Sequence, residues 1–114
     1  MAIDKSLLAG STTMLILKLL DEKDMYGYQM IEELARKSNN TFELKAGTLY
    51  PLLHTLEQKD MVLAYDENAD NARVRKYYSI TRNGRKLLKK KKEEWKEYTS
   101  AVNGFLGGAN IATV

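Results

Sequence analysis

Ten arginine and lysine side chains lie between residues 73 and 92, and no acidic residue interrupts them. The net charge of the whole chain is only +3, because residues 1–72 carry seven basic and twelve acidic side chains and residues 93–114 carry one basic and three acidic ones. Cationic groups at this density attract a polyanion such as a nucleic acid, although a run of charge can also be the solvated face of a helix. Because the block spans two predicted elements, we predict that it binds an anionic partner.

Other reactive side chains are scarce, and this scarcity excludes most enzyme chemistry. The 114 residues contain no cysteine and a single histidine, His54, so thiol nucleophiles, disulfides and cysteine-bound zinc are excluded. No nucleophile stands beside a base, no glycine-rich phosphate loop occurs, and the acidic residues are scattered. We therefore expect no enzymatic activity, no cofactor and no metal site.

The hydropathy pattern gives no sign of a membrane protein. No apolar stretch approaches the roughly 20 residues that a transmembrane helix needs, and no secretory signal is recognisable. Leu87 and Leu88 are the only apolar residues between positions 82 and 92, too few for a helix lying on a membrane. We expect a cytoplasmic protein without a membrane partner.

Three helices are predicted in the first half of the chain, over residues 4–20, residues 27–37 and a segment around residues 45–58. In the third, leucines recur at i, i+3, i+4 and i+7, which places them on one buried face. They are Leu49, Leu52, Leu53 and Leu56. The opposite face presents Thr48, Tyr50, Pro51 and His54. Since proline suits only the first turn of a helix, the helix begins either with Thr48 as N-cap or near Lys45 with a local bend.

Two β-strands are predicted next, over residues 61–65 and 74–80, with the polar residues 66–72 as a hairpin loop between them. Alternation places Arg73 and Arg75 on one side of the second strand and Lys76 on the other. Thr81 is a suitable N-cap for a last helix that runs from residue 82 to about residue 106.

The last helix carries an apolar stripe with a seven-residue repeat. Leu88, Trp95 and Val102 form one series, and Tyr98 and Phe105 belong to a second, incomplete one. The stripe could cover only the core of its own chain, but about 25 residues of helix are more than a domain of about 80 residues can cover, so we predict a homodimer. The predicted interface consists of Leu8, Leu15, Leu88, Trp95, Tyr98, Val102 and Phe105.

The order helix, helix, helix, strand, loop, strand, helix is that of a winged helix-turn-helix. In this fold a helix with a polar outer face enters the major groove of DNA, and the cationic hairpin contacts the adjacent backbone. We predict a mainly α-helical fold with a two-stranded β-wing. The winged domain would occupy residues 1–81, and a C-terminal dimerisation helix and tail would occupy residues 82–114.

Three segments, in order along the chain, resemble the PadR-type transcriptional regulators. Residues 47–57 (GTLYPLLHTLE) are similar to the recognition helix of that family, residues 73–84 (RVRKYYSITRNG) to its wing strand, and residues 26–28 (YGY) to a third recurring element. Lys45 and Ala46 replace a serine-proline pair of the family, and Arg82 replaces an acidic residue. The single long C-terminal helix resembles the small subgroup of the family.

The resemblance implies a homodimeric repressor that binds a double-stranded DNA operator and is released by a small molecule or another signal. The residues that it places on DNA are Tyr28, Thr48, Tyr50, Pro51, His54, Arg73, Arg75 and Lys76. A winged-helix module that binds an acidic protein is the alternative, and the salt dependence of duplex binding separates the two.

Trp95, the only tryptophan of the chain, is the candidate effector-binding residue. Two-fold pairing of the last helix would bring both indole rings close together, where a planar aromatic molecule could stack between them. Some members of the small PadR subgroup are similar in holding planar hydrophobic ligands with a tryptophan on this helix. The alternative is that Trp95 only anchors the dimer, with no cavity beside it.

Overall fold

The computed structural model describes residues 3–68 and 73–107, so the expected hairpin tip and tail, at residues 69–72 and 108–114, lie outside the described residues. The elements, in chain order, are α1 (Lys5–Ala9), α2 (Thr12–Glu22), β1 (Met25–Tyr26), α3 (Gly27–Lys37), α4 (Ala46–Gln58), β2 (Val62–Asn68), β3 (Val74–Ile80) and α5 (Arg82–Phe105). The predicted fold class, mainly helical with a β-wing and a long C-terminal helix, is confirmed.

The single helix predicted over residues 4–20 is wrong, because the structure divides it into α1 and α2. Gly10 ends α1, and the hydroxyls of Ser11 and Thr12 both donate to the carbonyl of Leu8, at 3.2 and 2.7 Å. Hydroxyl side chains of this kind compete with the backbone for its hydrogen bonds. The chain therefore turns here, and α2 continues to Glu22, two residues beyond the predicted end.

The sheet is larger than the predicted hairpin. The three antiparallel strands lie in the order β1-β3-β2, and β1, which we did not predict, pairs Met25 with Tyr78. Strand β2 reaches residue 68 rather than residue 65, because the residues assigned to the loop pair with the cations of β3. Glu67, for example, stands opposite Arg75, and opposite charges across a strand pair stabilise the pairing.

The core lies between α2, α3, α4 and the inner face of the sheet, and the first turns of α5 close it. Its fully buried side chains include Ile16, Leu17, Met30, Leu49, Leu53 and Val62. The hydroxyl of Thr81 accepts a hydrogen bond from the amide of Gly84 at 3.0 Å, which confirms Thr81 as the N-cap of α5. Since α4, β3 and α5 share this core, the packing fixes α4 relative to the wing.

Candidate nucleic-acid interface

Helix α4 turns one face to the core and the other to solvent, as the leucine spacing predicts. Leu49, Leu53 and Leu56 are buried, and Leu52 packs against the core from its edge. The outward residues are exposed, and they are Thr48, Tyr50, Pro51, His54 and Thr55. Hydroxyl, imidazole and apolar groups in one such row can contact base edges in a major groove.

The start of α4 decides between the two possibilities left by Pro51. The helix begins at Ala46 with Lys45 as N-cap, so Thr48 is not the N-cap and Pro51 lies inside the helix. Proline has no amide hydrogen, and the carbonyl of Gly47 four residues earlier therefore loses its helical partner. This arrangement leaves the hydroxyl of Thr48 free of a capping role on the outward face.

A groove of about 570 Å³ lies between the start of α3, the middle of α4 and the wing strand β3 with the preceding Arg73. It brings together five of the eight residues that we predict to contact DNA, namely Tyr28, Tyr50, Arg73, Arg75 and Lys76. The other three, which are Thr48, Pro51 and His54, are exposed on α4 outside this groove. The groove therefore joins α4 and the wing in one surface that is mainly aromatic and cationic, although Glu32 of α3 also lines it.

The cations of the wing differ in how they are held. Arg73 is exposed at the start of β3, whereas the guanidinium of Arg75 lies over the ring of Tyr26, 4.5 Å from its centroid. On the other face of the strand, the ammonium of Lys76 lies 5.8 Å from the ring centroid of Tyr78. Cation–π contacts of this kind restrict the side chains without neutralising their charge. These contacts hold Arg75 and Lys76 on opposite faces of β3.

A row of tyrosines on the outer face of the sheet supports the wing, and it was not predicted from the sequence. The ring of Tyr77 meets Tyr26 edge-on at 5.4 Å and stacks on Tyr65 at 5.9 Å. The hydroxyl of Tyr65 donates to Asp24 at 2.7 Å, and this hydrogen bond raises the pKa of Tyr65 to about 12. The signal in the sequence was the alternation of residues 73–80, which already separated Tyr77 from the buried Tyr78.

The structure divides the basic block between the two ends of β3. Arg73 precedes the strand at the wing tip, whereas Arg82 follows it at the start of α5. In the α5 group, Arg85 forms an ion pair with Asp21 at 3.1 Å. The wing cations border the groove beside α4, and the α5 cations lie on a separate helix.

Helix α5 leaves part of its apolar stripe uncovered beyond the core. Leu88, at 4% exposure, belongs to the core of its own chain, whereas Trp95, Tyr98 and Phe105 are 44%, 61% and 91% exposed. Val102 is half-buried. Of the predicted interface residues on the first two helices, Leu8 is buried and Leu15 is half-buried.

An open groove of about 590 Å³ runs between this stripe and the first two helices. Its apolar walls are Ile3, Leu7, Met14, Leu15, Phe42, Trp95 and Tyr98. The rings of Trp95 and Tyr98 lie 6.1 Å apart. The candidate effector residue therefore borders a cavity as well as an exposed face.

Residues 16–90 match the transcriptional regulator PadR-like family. The chain belongs to this family. A transcriptional regulator of Clostridium thermocellum is similar in structure, with a TM-score of 0.81 and 32% identity over 88% of this chain and 97% of that one. A PadR family transcriptional regulator of Eggerthella lenta is also similar, with a TM-score of 0.79 and 31% identity over 89% of this chain and 86% of that one. An uncharacterized protein of Lysinibacillus sphaericus is 34% identical over 93% of this chain and 97% of its own length.

Members of the PadR-like family are DNA-binding transcriptional regulators and not enzymes, and this chain shares that role. Within residues 3–68 and 73–107, no three histidine, aspartate or glutamate side chains are grouped so as to hold a metal ion. In the same part of the chain, no helix has both the length and the apolar character needed to cross a membrane.

Proposed function

We propose that this PadR-like protein is a homodimeric repressor that reads a palindromic operator with α4. The observation that carries the proposal is the shared groove, where Tyr50 of α4 and Tyr28 of α3 border the same space as the wing cations. A duplex whose major groove receives α4 would bring its backbone against this surface.

The outward side chains of α4 and the wing have separable roles in this proposal. Thr48, Tyr50 and His54 contact base edges, and Pro51 offers an apolar surface to a thymine methyl group. Tyr28 and the three wing cations, Arg73, Arg75 and Lys76, contact phosphates, which position the protein without reading sequence.

The homodimer is supported by the exposed part of the α5 stripe. Aromatic side chains exposed together on one helix are typical of an interface between chains. The proposed surface consists of Leu15, Trp95, Tyr98, Val102 and Phe105. Leu8 and Leu88 are left out of it, because both are buried within their own chain.

Selection of bound duplexes from a random library tests the DNA-binding proposal directly. A two-fold dimer should enrich a palindrome whose half-sites lie about 10 base pairs apart, since both recognition helices must reach one face of the duplex. Transcription in vitro from a promoter that carries the enriched duplex should fall when the protein is added. The absence of any enriched duplex would refute the proposal, and increased transcription would refute its repressor part.

A planar aromatic effector is the second part of the proposal. The groove beside Trp95 has the volume of a small-molecule site and is mostly apolar, and a second α5 would close it from the other side. Planar aromatic compounds should quench Trp95 emission and weaken binding of the selected duplex over the same concentration range. Quenching without loss of duplex affinity would refute the switch, and no quenching across a broad panel would leave Trp95 as a packing residue.

A further inference from the structure

The ring of Tyr50 lies directly on the backbone of Gly27. A Cβ atom on Gly27 would lie 2.2 Å from the hydroxyl oxygen of Tyr50, 2.5 Å from its Cζ and 2.7 Å from its Cε1. These distances are far inside van der Waals contact, so no residue with a side chain fits at position 27 unless the ring moves. Among the described glycines, the left-handed backbone that favours this residue occurs at Gly107 and not at Gly27. Glycine is therefore needed at position 27 because a side chain has no space there, and not because of its backbone conformation.

The contact joins the two helices of the helix-turn-helix at the point where they face the wing. Gly27 is the first residue of α3, and Tyr50 is the fifth residue of α4. Tyr50 remains 42% exposed, so one edge of the ring is held while the rest faces the groove. A surface tyrosine without such a contact samples several rotamers, and fixing one of them costs free energy on binding.

We infer that Gly27 is a positioning residue for DNA recognition, because its missing side chain seats the ring of Tyr50 in the orientation that α4 presents to the duplex. The inference rests on the proposed DNA-reading role of Tyr50. It assigns to the glycine of the Tyr26-Gly27-Tyr28 segment a role in presenting the recognition helix, in addition to opening α3.

The variant Gly27→Ala tests this role in the full chain. The three atoms nearest to the added methyl group all belong to the far end of the Tyr50 side chain, which can move, so the fold should persist while Tyr50 is displaced. Affinity for the duplex selected by the wild-type chain should fall roughly tenfold over two half-sites, the cost of fixing one freed side chain in each protomer. Binding to a scrambled duplex of the same length should not change, since the wing cations are untouched.

A double-mutant cycle separates positioning from general damage. In a Tyr50→Ala background the ring is absent, so adding Gly27→Ala should change affinity for the selected duplex by less than about twofold. The matched control is Gly104→Ala, because a Cβ at Gly104 meets no atom within 4 Å. That control should bind like the wild type.

A readout without DNA completes the test. Nuclear Overhauser contacts between the Gly27 Hα atoms and the Tyr50 ring should be strong in the wild type, and the Tyr50 ring signals should shift in Gly27→Ala. Equal losses of affinity with and without Tyr50, or wild-type affinity in Gly27→Ala, would overturn the inference. If the wild-type chain enriches no duplex, the proposed function fails, whereas absence of the Overhauser contact refutes the seating of Tyr50 alone.

Discussion

The division of the basic block predicts that its two halves differ in their effect on DNA binding. Arg73 and Arg82 lie nine positions apart along extended chain, a span of about 30 Å. The screening length at physiological salt is about 8 Å, so the α5 cations contribute little to phosphate contacts made at the wing. We expect the wing cations to dominate the salt dependence of duplex binding.

The size of the effect follows from the number of phosphates contacted. Three wing cations in each protomer of a dimer give six contacts, and hence a slope of about −5.4 for the logarithm of affinity against the logarithm of salt concentration. Affinity should fall roughly a thousandfold between about 50 and 200 mM salt. Replacing Arg73 by alanine removes two contacts per dimer, so the slope should change to about −3.6 and the loss of affinity to roughly 150-fold.

Fluorescence anisotropy with the selected duplex, measured at several salt concentrations, gives both slopes. Lys89→Ala is the matched control, because Lys89 is an exposed cation of the same block that lies on α5. This variant should keep the wild-type slope. If Lys89→Ala flattens the slope as much as Arg73→Ala, the α5 cations contact phosphates and the division of the block has no functional meaning. A wild-type slope near zero would instead favour an acidic protein as the partner.

Three further predictions concern the dimer, the fold and the wing. Val102→Glu places a charge in the proposed interface and should yield monomers by sedimentation, whereas Ser100→Glu, on an exposed position of the same helix, should leave the dimer intact. Gly84→Ala should lower the free energy of unfolding by about 1–3 kcal/mol. The added Cβ would lie 2.1 Å from the backbone carbonyl oxygen of Met61, which cannot move aside. An unchanged Tm in thermal unfolding would contradict this packing. The hydrogen bond to Asp24 raises the pKa of Tyr65 from 10.0 to about 12. The contribution of this hydrogen bond to the stability of the fold is therefore fully present below pH 10 and is lost between pH 10 and 12. The difference in Tm between wild type and Tyr65→Phe should therefore shrink across that range, and a constant difference would refute this linkage.

The parts of the fold that follow from repeated local patterns could be predicted from the sequence. The leucine spacing identified the buried face of α4, and the alternation of residues 74–80 identified β3 and its two faces. Thr81 was recognised as an N-cap because a hydroxyl residue immediately preceded the long helix. In each case the residues that support the prediction lie within or next to a single helix or strand.

The parts that depend on contacts between distant residues could not be predicted. Strand β1 has two residues, too few to show alternation, and it forms only because β3 offers a free edge. The break at Gly10 depends on the hydrogen bonds that the hydroxyls of Ser11 and Thr12 donate to the carbonyl of Leu8. The packing of Tyr50 on Gly27 joins residues 23 positions apart, and neither residue type alone indicates such a contact.

The turn between α4 and the wing connects α4 to the start of α5, and the proposed effector would act on α4 through this connection. The hydroxyl of Thr81, the N-cap of α5, donates to the carbonyl of Asp60 at 2.6 Å, and the amide of Thr81 donates to the carbonyl of Met61 at 3.0 Å. Asp60 and Met61 follow Lys59, the C-cap of α4. Gly84 also packs closely on this turn, since a Cβ at position 84 would lie 2.1 Å from the carbonyl oxygen of Met61, and these contacts tie the start of α5 to the end of α4. A ligand that separates paired α5 helices at Trp95 would therefore carry both copies of α4 with it, and the spacing of the recognition helices would no longer match the two half-sites.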